Sequence, residues 1–160
     1  LPDKARARLA PGVSGKAACL VREVAAGVIA VVKRTPRGKQ LSFVVDAAED
    51  FVAPVDEGDL SEILGNLVEN ATRFAKSLVH VSASARAGEV IITVVDDGPG
   101  IPEAARHAAL LRGVQLDSKG GGSGLGLAIV SDIVEAYGGR LEMANANAGL
   151  AVTIYLPRHG

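Results

Sequence analysis

The sequence has no tryptophan, only 3% aromatic residues, one cysteine and one methionine among 160 residues. Its core therefore has to be assembled from Ala, Val, Leu and Ile rather than organised around large rings. The lone Cys19 excludes an internal disulfide, and no Cys/His cluster has zinc-ligand spacing, so a reducing compartment is the simplest setting. An excess of charge of one sign is missing too. Lys+Arg number 17 against Asp+Glu 18, a formal net charge of -1, without the basic excess of a nucleic-acid-binding module. Long apolar runs are absent: Val24 to Val32 ends at Lys33-Arg34 and is about half the roughly 20 residues that span a bilayer. Neither nucleic-acid binding nor membrane contact is expected of this chain.

Hydrophobic residues make up 48% and charged residues 22%, a balance that suits one packed globular domain. The sequence begins at Leu1 rather than Met. We read it as a piece of a longer protein, whose transmembrane segment, if any, lies elsewhere. Residues 1–15 mix charge with Pro and Gly and read as a tail or incoming linker, with the domain over 16–160.

Apolar residues at helical spacing predict a first helix from about Lys16 to Val32, and alternation predicts a strand over Gln40 to Val45. The clearest helix runs from Asp59 to Ser77, with Asp59 as N-cap and Glu62 three positions on. Two strands, Leu78 to Ala85 and Val90 to Val95, are joined at Ala87-Gly88. After a breaker-rich stretch, Leu125 to Tyr137 reads as a helix stopped by Gly138-Gly139. Strands Arg140 to Met143 and Leu150 to Leu156 follow. No internal repeat is present. This order predicts an α+β fold, with helices on one face of a mixed, mainly antiparallel sheet.

Three segments carry chemistry. At roughly 100° per residue, Glu62, Asn66, Asn70 and Arg73 form one helical stripe. Leu60, Ile63, Leu64, Leu67, Val68 and Ala71 form the adjoining core face, with Phe74 at the border. Asparagine is a mediocre helix former, so two of them one turn apart beside an arginine point to amide oxygens for a cation and a guanidinium for an anion. Mg²⁺ on a phosphate fits that set; taken alone, the stripe is equally a solvated polar face. The second segment, DDGPG (96–100), ends a strand, and Gly98 and Gly100 allow close approach to a ligand while Asp96 can accept from its amino group. The same residues also make a plain turn. The third, KGGGSGLGLAIV (119–130), resembles a linker in composition but runs into a helix, whose first amides attract phosphate. It ends in no Gly-Lys-Ser/Thr and does not match a dinucleotide fingerprint.

Together NLVENATRF (66–74), DDGPGI (96–101), GSGLGLAIV (122–130) and the closing GG…LP resemble the GHKL ATPase superfamily, in the order of a bacterial sensor histidine kinase catalytic domain. The resemblance covers roughly residues 16–157. It implies a two-layer α/β sandwich of the Bergerat type that binds ATP and Mg²⁺. By this resemblance Asn66 and Asn70 hold Mg²⁺ against the triphosphate, Arg73 faces the phosphates and Phe74 packs by the adenine. Asp96 reads the adenine amino group in a pocket shaped by Gly98, Gly100 and Ile101. Gly122, Ser123, Gly124, Leu125 and Gly126 meet the phosphates. Asn66, Asn70 and Arg73 are thus the candidate catalytic residues.

Two departures stand out. The phenylalanine-rich lid box is absent, and LLRGVQLDS (110–118) in its place looks like the lid of PhoQ-like kinases. Gln115 stands where those relatives often carry a second arginine, which leaves Arg112 and Lys119 for the γ-phosphate. The acceptor histidine is missing as well. His80 alternates with Val79 and Val81 in a strand, His107 lies near the lid and His159 is penultimate, none in a family-like acceptor sequence. The implied activity is γ-phosphoryl transfer from Mg·ATP to a histidine on a separate dimerisation domain. The implied partners are that domain and, through it, a response regulator, in a homodimeric inner-membrane sensor with this domain in the cytoplasm. Gyrase-, MutL- and chaperone-type relatives instead hydrolyse ATP with a glutamate base. Its position is occupied here by Asn66. A non-catalytic nucleotide-binding module is a third reading, which the intact glycine boxes oppose.

Overall fold

The computed structural model describes residues 17–100, 126–146 and 149–158. The expected tail over 1–15 and lid, with Ile101, His107, Arg112, Gln115, Lys119, Gly122, Ser123, Gly124, Leu125 and His159, lie outside them.

Among the described residues three α-helices, α1 (Val21–Val32), α2 (Glu57–Phe74) and α3 (Gly126–Ala136), pack on a five-stranded sheet. The strands, β2 (Ser42–Asp46), β4 (Leu78–Arg86), β5 (Glu89–Asp96), β6 (Arg140–Asn145) and β7 (Leu150–Pro157), are ordered β2-β4-β5-β7-β6. β2 and β4 run parallel, with α2 as the crossover between them, and the other pairs are antiparallel. This is the mixed, mainly antiparallel sheet that the element order predicts. A two-stranded ladder, β1 (Cys19–Leu20) with β3 (Val52–Ala53), lies outside it.

Burial alternates strictly along β5 and β7, so each offers one face to the helices. Val90, Ile92 and Val94 of β5 and Val152, Ile154 and Leu156 of β7 meet Leu60, Ile63, Leu64, Leu67 and Val68 of α2 in one core. Leu60, Ile63 and Leu64 are completely buried, each contributing about 1.5–3 kcal/mol. The core is aliphatic, as the shortage of aromatics requires.

Several boundaries differ from the sequence reading. α1 begins at Val21, because Cys19 and Leu20 are taken by the ladder with Ala53 and Val52. The N-cap of α2 is Asp56, whose carboxylate accepts from the Gly58 amide at 2.9 Å. Asp59 lies inside the helix, 2% exposed, and accepts from the Tyr137 hydroxyl at 2.5 Å. That hydroxyl in turn accepts from the Asp56 amide at 3.2 Å, which joins the start of α2 to the end of α3. Burial, and then the bond to Asp59, push the Tyr137 pKa up. α2 stops at Phe74, since Ala75 is already extended. The Arg37 guanidinium binds the Ala75 carbonyl and ties that end to the segment after α1. No helix among the described residues is long and apolar enough to cross a membrane.

Candidate nucleotide site

α2 holds the asparagine stripe in place by burying its other face. Leu60, Ile63, Leu64, Leu67, Val68 and Ala71 are buried, while Glu62, Asn66, Asn70, Arg73 and Phe74 are half-buried. The Asn66 amide nitrogen donates to the Glu62 carbonyl one turn back at 2.8 Å. Its carbonyl oxygen faces the first residue of α3: a Cβ at Gly126 would come within 2.9 Å of Asn66 Oδ1. An oxygen acceptor is therefore packed against the end of a helix whose first-turn amides carry a partial positive charge. Asn70 follows one turn on. The Arg73 guanidinium lies 5.9 Å from the centroid of the Phe74 ring, within cation–π range.

The DDGPG segment is built against the far end of the same helix. Asp96 ends β5, is 3% exposed, and its Oδ1 accepts from the Gly98 amide at 2.8 Å. Burial pushes its pKa up, opposed by the amides of Gly98 and Leu150. A Cβ on Gly98 would collide with the Phe74 carbonyl, so only glycine lets the loop pass so close to the end of α2. Gly100 takes a positive φ of 75°, and a Cβ there would fall 2.5 Å from Asn145 Oδ1. Asp96, Gly98, Gly100 and Phe74 are thus brought together.

Three residues of this region escaped the sequence reading. A Cβ on Gly149 would strike the Asp96 carbonyl and lie 2.8 Å from its Oδ1. With Asn145, Gly149 forms one wall of the Asp96 site. The only local signal was a NANAG run that reads as an ordinary hairpin connection. Asp97 turns the other way. Its carboxylate accepts from the amides of Lys76, Ser77 and Leu78 at 2.8, 2.9 and 3.1 Å and from the Ser77 hydroxyl at 2.6 Å. These bonds, led by Ser77, hold its pKa far below the usual carboxylate range. His80 is half-buried between buried Val79 and Val81, on the side of the sheet away from the core, as expected. Among the described residues no three His, Cys, Asp or Glu side chains cluster to hold a metal. The stripe presents the neutral Asn66 amide oxygen towards Gly126, an acceptor of the type that a hard cation shares with ligand oxygens.

Comparison with known proteins shows the family and the fold. A family model described as "Histidine kinase-, DNA gyrase B-, and HSP90-like ATPase" matches residues 55–160. The sensor protein kinase CarS of Pseudomonas aeruginosa is 42% identical over 125 residues, 78% of this chain and 28% of that protein. The two-component sensor PhoQ of the same organism is 40% identical over 113 residues, 71% of this chain and 25% of that protein. The chain thus spans about a quarter of the length of these curated relatives. The solved structure of a mycobacterial sensor histidine kinase, MprB, superposes with a TM-score of 0.77 at 29% identity, covering 88% of this chain and 95% of that one. With the fold and the family match in agreement, the chain belongs to the histidine kinase-, DNA gyrase B- and HSP90-like ATPases, as a catalytic ATP-binding domain of the sensor histidine kinase type.

Proposed function

We propose that this domain binds Mg·ATP and donates its γ-phosphoryl group to a histidine on a dimerisation domain of the same protein. A response regulator would then take the phosphoryl group from that histidine. The observation that carries this reading is the use of one helix at both ends of the site. Phe74 abuts the loop of buried Asp96, and Asn66, eight residues back and about 12 Å along the axis, abuts the start of α3. A base at one end and a triphosphate at the other suit that separation.

In this reading the Asp96 carboxylate accepts from the adenine amino group while Phe74 covers the ring. Gly98, Gly100 and Ile101 shape that pocket. Asn66 and Asn70 hold Mg²⁺, which when bound neutralises phosphate charge. Arg73 faces the phosphates, and Gly122, Ser123, Gly124, Leu125 and Gly126 supply amides to them. Arg112 and Lys119 of the lid reach the γ-phosphate. The protein's contribution is mostly positioning and charge neutralisation. The parent is a homodimeric membrane sensor with this domain, residues 16–160, in the cytoplasm, and residues 1–15 link it to the dimerisation domain. Asn66 at the position of the hydrolytic base in ATPase relatives favours transfer over hydrolysis.

Calorimetry and thermal unfolding with ATP, with and without Mg²⁺, test the binding half. At 100 times the Kd, ATP should add about 2.7 kcal/mol; no heat and no stabilisation at millimolar nucleotide would overturn it. γ-Labelled ATP with a dimerisation domain added in trans tests the transfer half, and label should appear on that domain's histidine. Rapid phosphate release without labelling would mean hydrolysis instead.

A further inference from the structure

Consecutive residues of the DDG segment face in different directions. Asp96 is the ligand-facing carboxylate of the proposed site, and Gly98 rests on the Phe74 carbonyl. Between them, Asp97 gathers the three successive amides of Lys76, Ser77 and Leu78 and the Ser77 hydroxyl, which form the connection from α2 to β4. That connection starts just after Phe74. Asp97 is therefore a brace from the residue beside Asp96 to the residues beside Phe74.

The brace is not needed to align the strands. β4 and β5 are already in register over eight pairs, from Arg86 with Glu89 to Val79 with Asp96. Asp97 acts beyond the end of that ladder, where the backbone of 97–98 has left the sheet. Hydrogen bonds to an ionised carboxylate are shorter and stronger than neutral ones, so several on one side chain set a defined spacing. What they space is the pair of groups expected to hold the base from its face and from its edge. Discrimination between adenine and guanine depends on that spacing, because the carboxylate has to meet an amino group and not a carbonyl oxygen.

We propose that Asp97, with Ser77, is a positioning residue for base selectivity, holding Asp96 and Phe74 at the separation that accepts adenine and rejects guanine. The inference rests on the ATP-binding reading above. The test is titration of the chain with ATP and GTP at fixed Mg²⁺, alongside thermal unfolding, for the wild type and the variants Asp97→Ala, Asp97→Asn and Ser77→Ala. Asp97→Ala should weaken ATP about tenfold or more and lower the ATP-to-GTP affinity ratio. Asp97→Asn should retain most of that ratio, because its amide oxygen still accepts the three N–H groups and its nitrogen can donate to Ser77 Oγ. Ser77→Ala, which loses only the 2.6 Å bond, should lower the ratio by a smaller factor. A folded Asp97→Ala with the wild-type ratio overturns the proposal. If Asp97→Ala does not fold, Ser77→Ala decides, and an unchanged ratio there overturns it equally. Wild-type protein that shows no preference for ATP would instead remove the ATP reading on which the inference stands.

Discussion

Two groups of glycines in this domain have opposite physical meanings. Gly98, Gly126 and Gly149 lie where a single added carbon would strike the Phe74 carbonyl, Asn66 Oδ1 and the Asp96 carbonyl. Gly27 on α1 and Gly65 on α2, which line a groove of about 330 Å³ between these helices, have nothing within 4 Å of a Cβ. In the first group the missing side chain makes a contact between elements possible. In the second it only weakens a helix. The glycines that matter are those where two segments meet; these three surround the proposed ligand, while Gly38 against the Val32 carbonyl and Gly139 against the Tyr155 carbonyl close contacts elsewhere in the fold.

Gly98→Ala should break the comparison most severely. Its Cβ meets backbone, which cannot swing aside, so overpacking of about 1–3 kcal/mol should accompany loss of ATP binding. Thermal unfolding with and without ATP reads both, and a variant that still responds to ATP as the wild type does would show that the Phe74–Gly98 contact is dispensable.

Asp96→Asn separates ligand recognition from folding within the same loop. Replacing the carboxylate should weaken ATP by about 1.5–3 kcal/mol. The free domain should respond the other way. Burial raises the folded-state pKa of Asp96 above its ordinary 3.8. Its ionisation therefore costs stability as pH rises from 3.8 through that raised value, and at neutral pH the full cost is present. The variant should unfold at a higher temperature than the wild type at pH 7 without nucleotide, with the difference vanishing in acid. A lower melting temperature at pH 7 would show that the carboxylate is structural.

The smallest effect belongs to the other group. Gly65→Ala, in the interior of α2 with open space around it, should stabilise the domain by about 0.5–1 kcal/mol and leave the ATP affinity unchanged. Denaturant unfolding measures the first. A drop in affinity would show that the groove beside Asn66 has to stay open.

Much of this was legible because it is local. The core face of α2, the Ala87-Gly88 turn with both φ values positive and the stop at Gly138 (φ 81°) follow from neighbours in the chain. What was missed depends on partners far away. Asp59 reads as the N-cap from its neighbours in the chain; its bond to Tyr137, 78 positions away, holds it inside the helix, and Asp56 caps instead. The β1–β3 ladder has two residues per strand, too few to show a period. Gly149 was invisible for the same reason, because the atom it accommodates belongs to a residue more than fifty positions earlier. The lid expectations fall on residues 101–125, outside those described.

The strand order β2-β4-β5-β7-β6 has a temporal consequence. β7, the last of the described strands to be synthesised, is not an edge but lies between β5 and β6, and pairs Val90 with Leu156, far apart in the sequence. Contacts of such sequence separation form late, after their loop-closure entropy has been met. A ribosome-bound chain that has emerged only as far as α3 can hold α2 and the β4–β5 hairpin. It lacks the strand that covers the open side of β5 and the glycine that backs Asp96. Nucleotide competence should therefore arrive in one step once β7 has emerged, and until then the exposed edge of β5 is a surface for chaperones to shield.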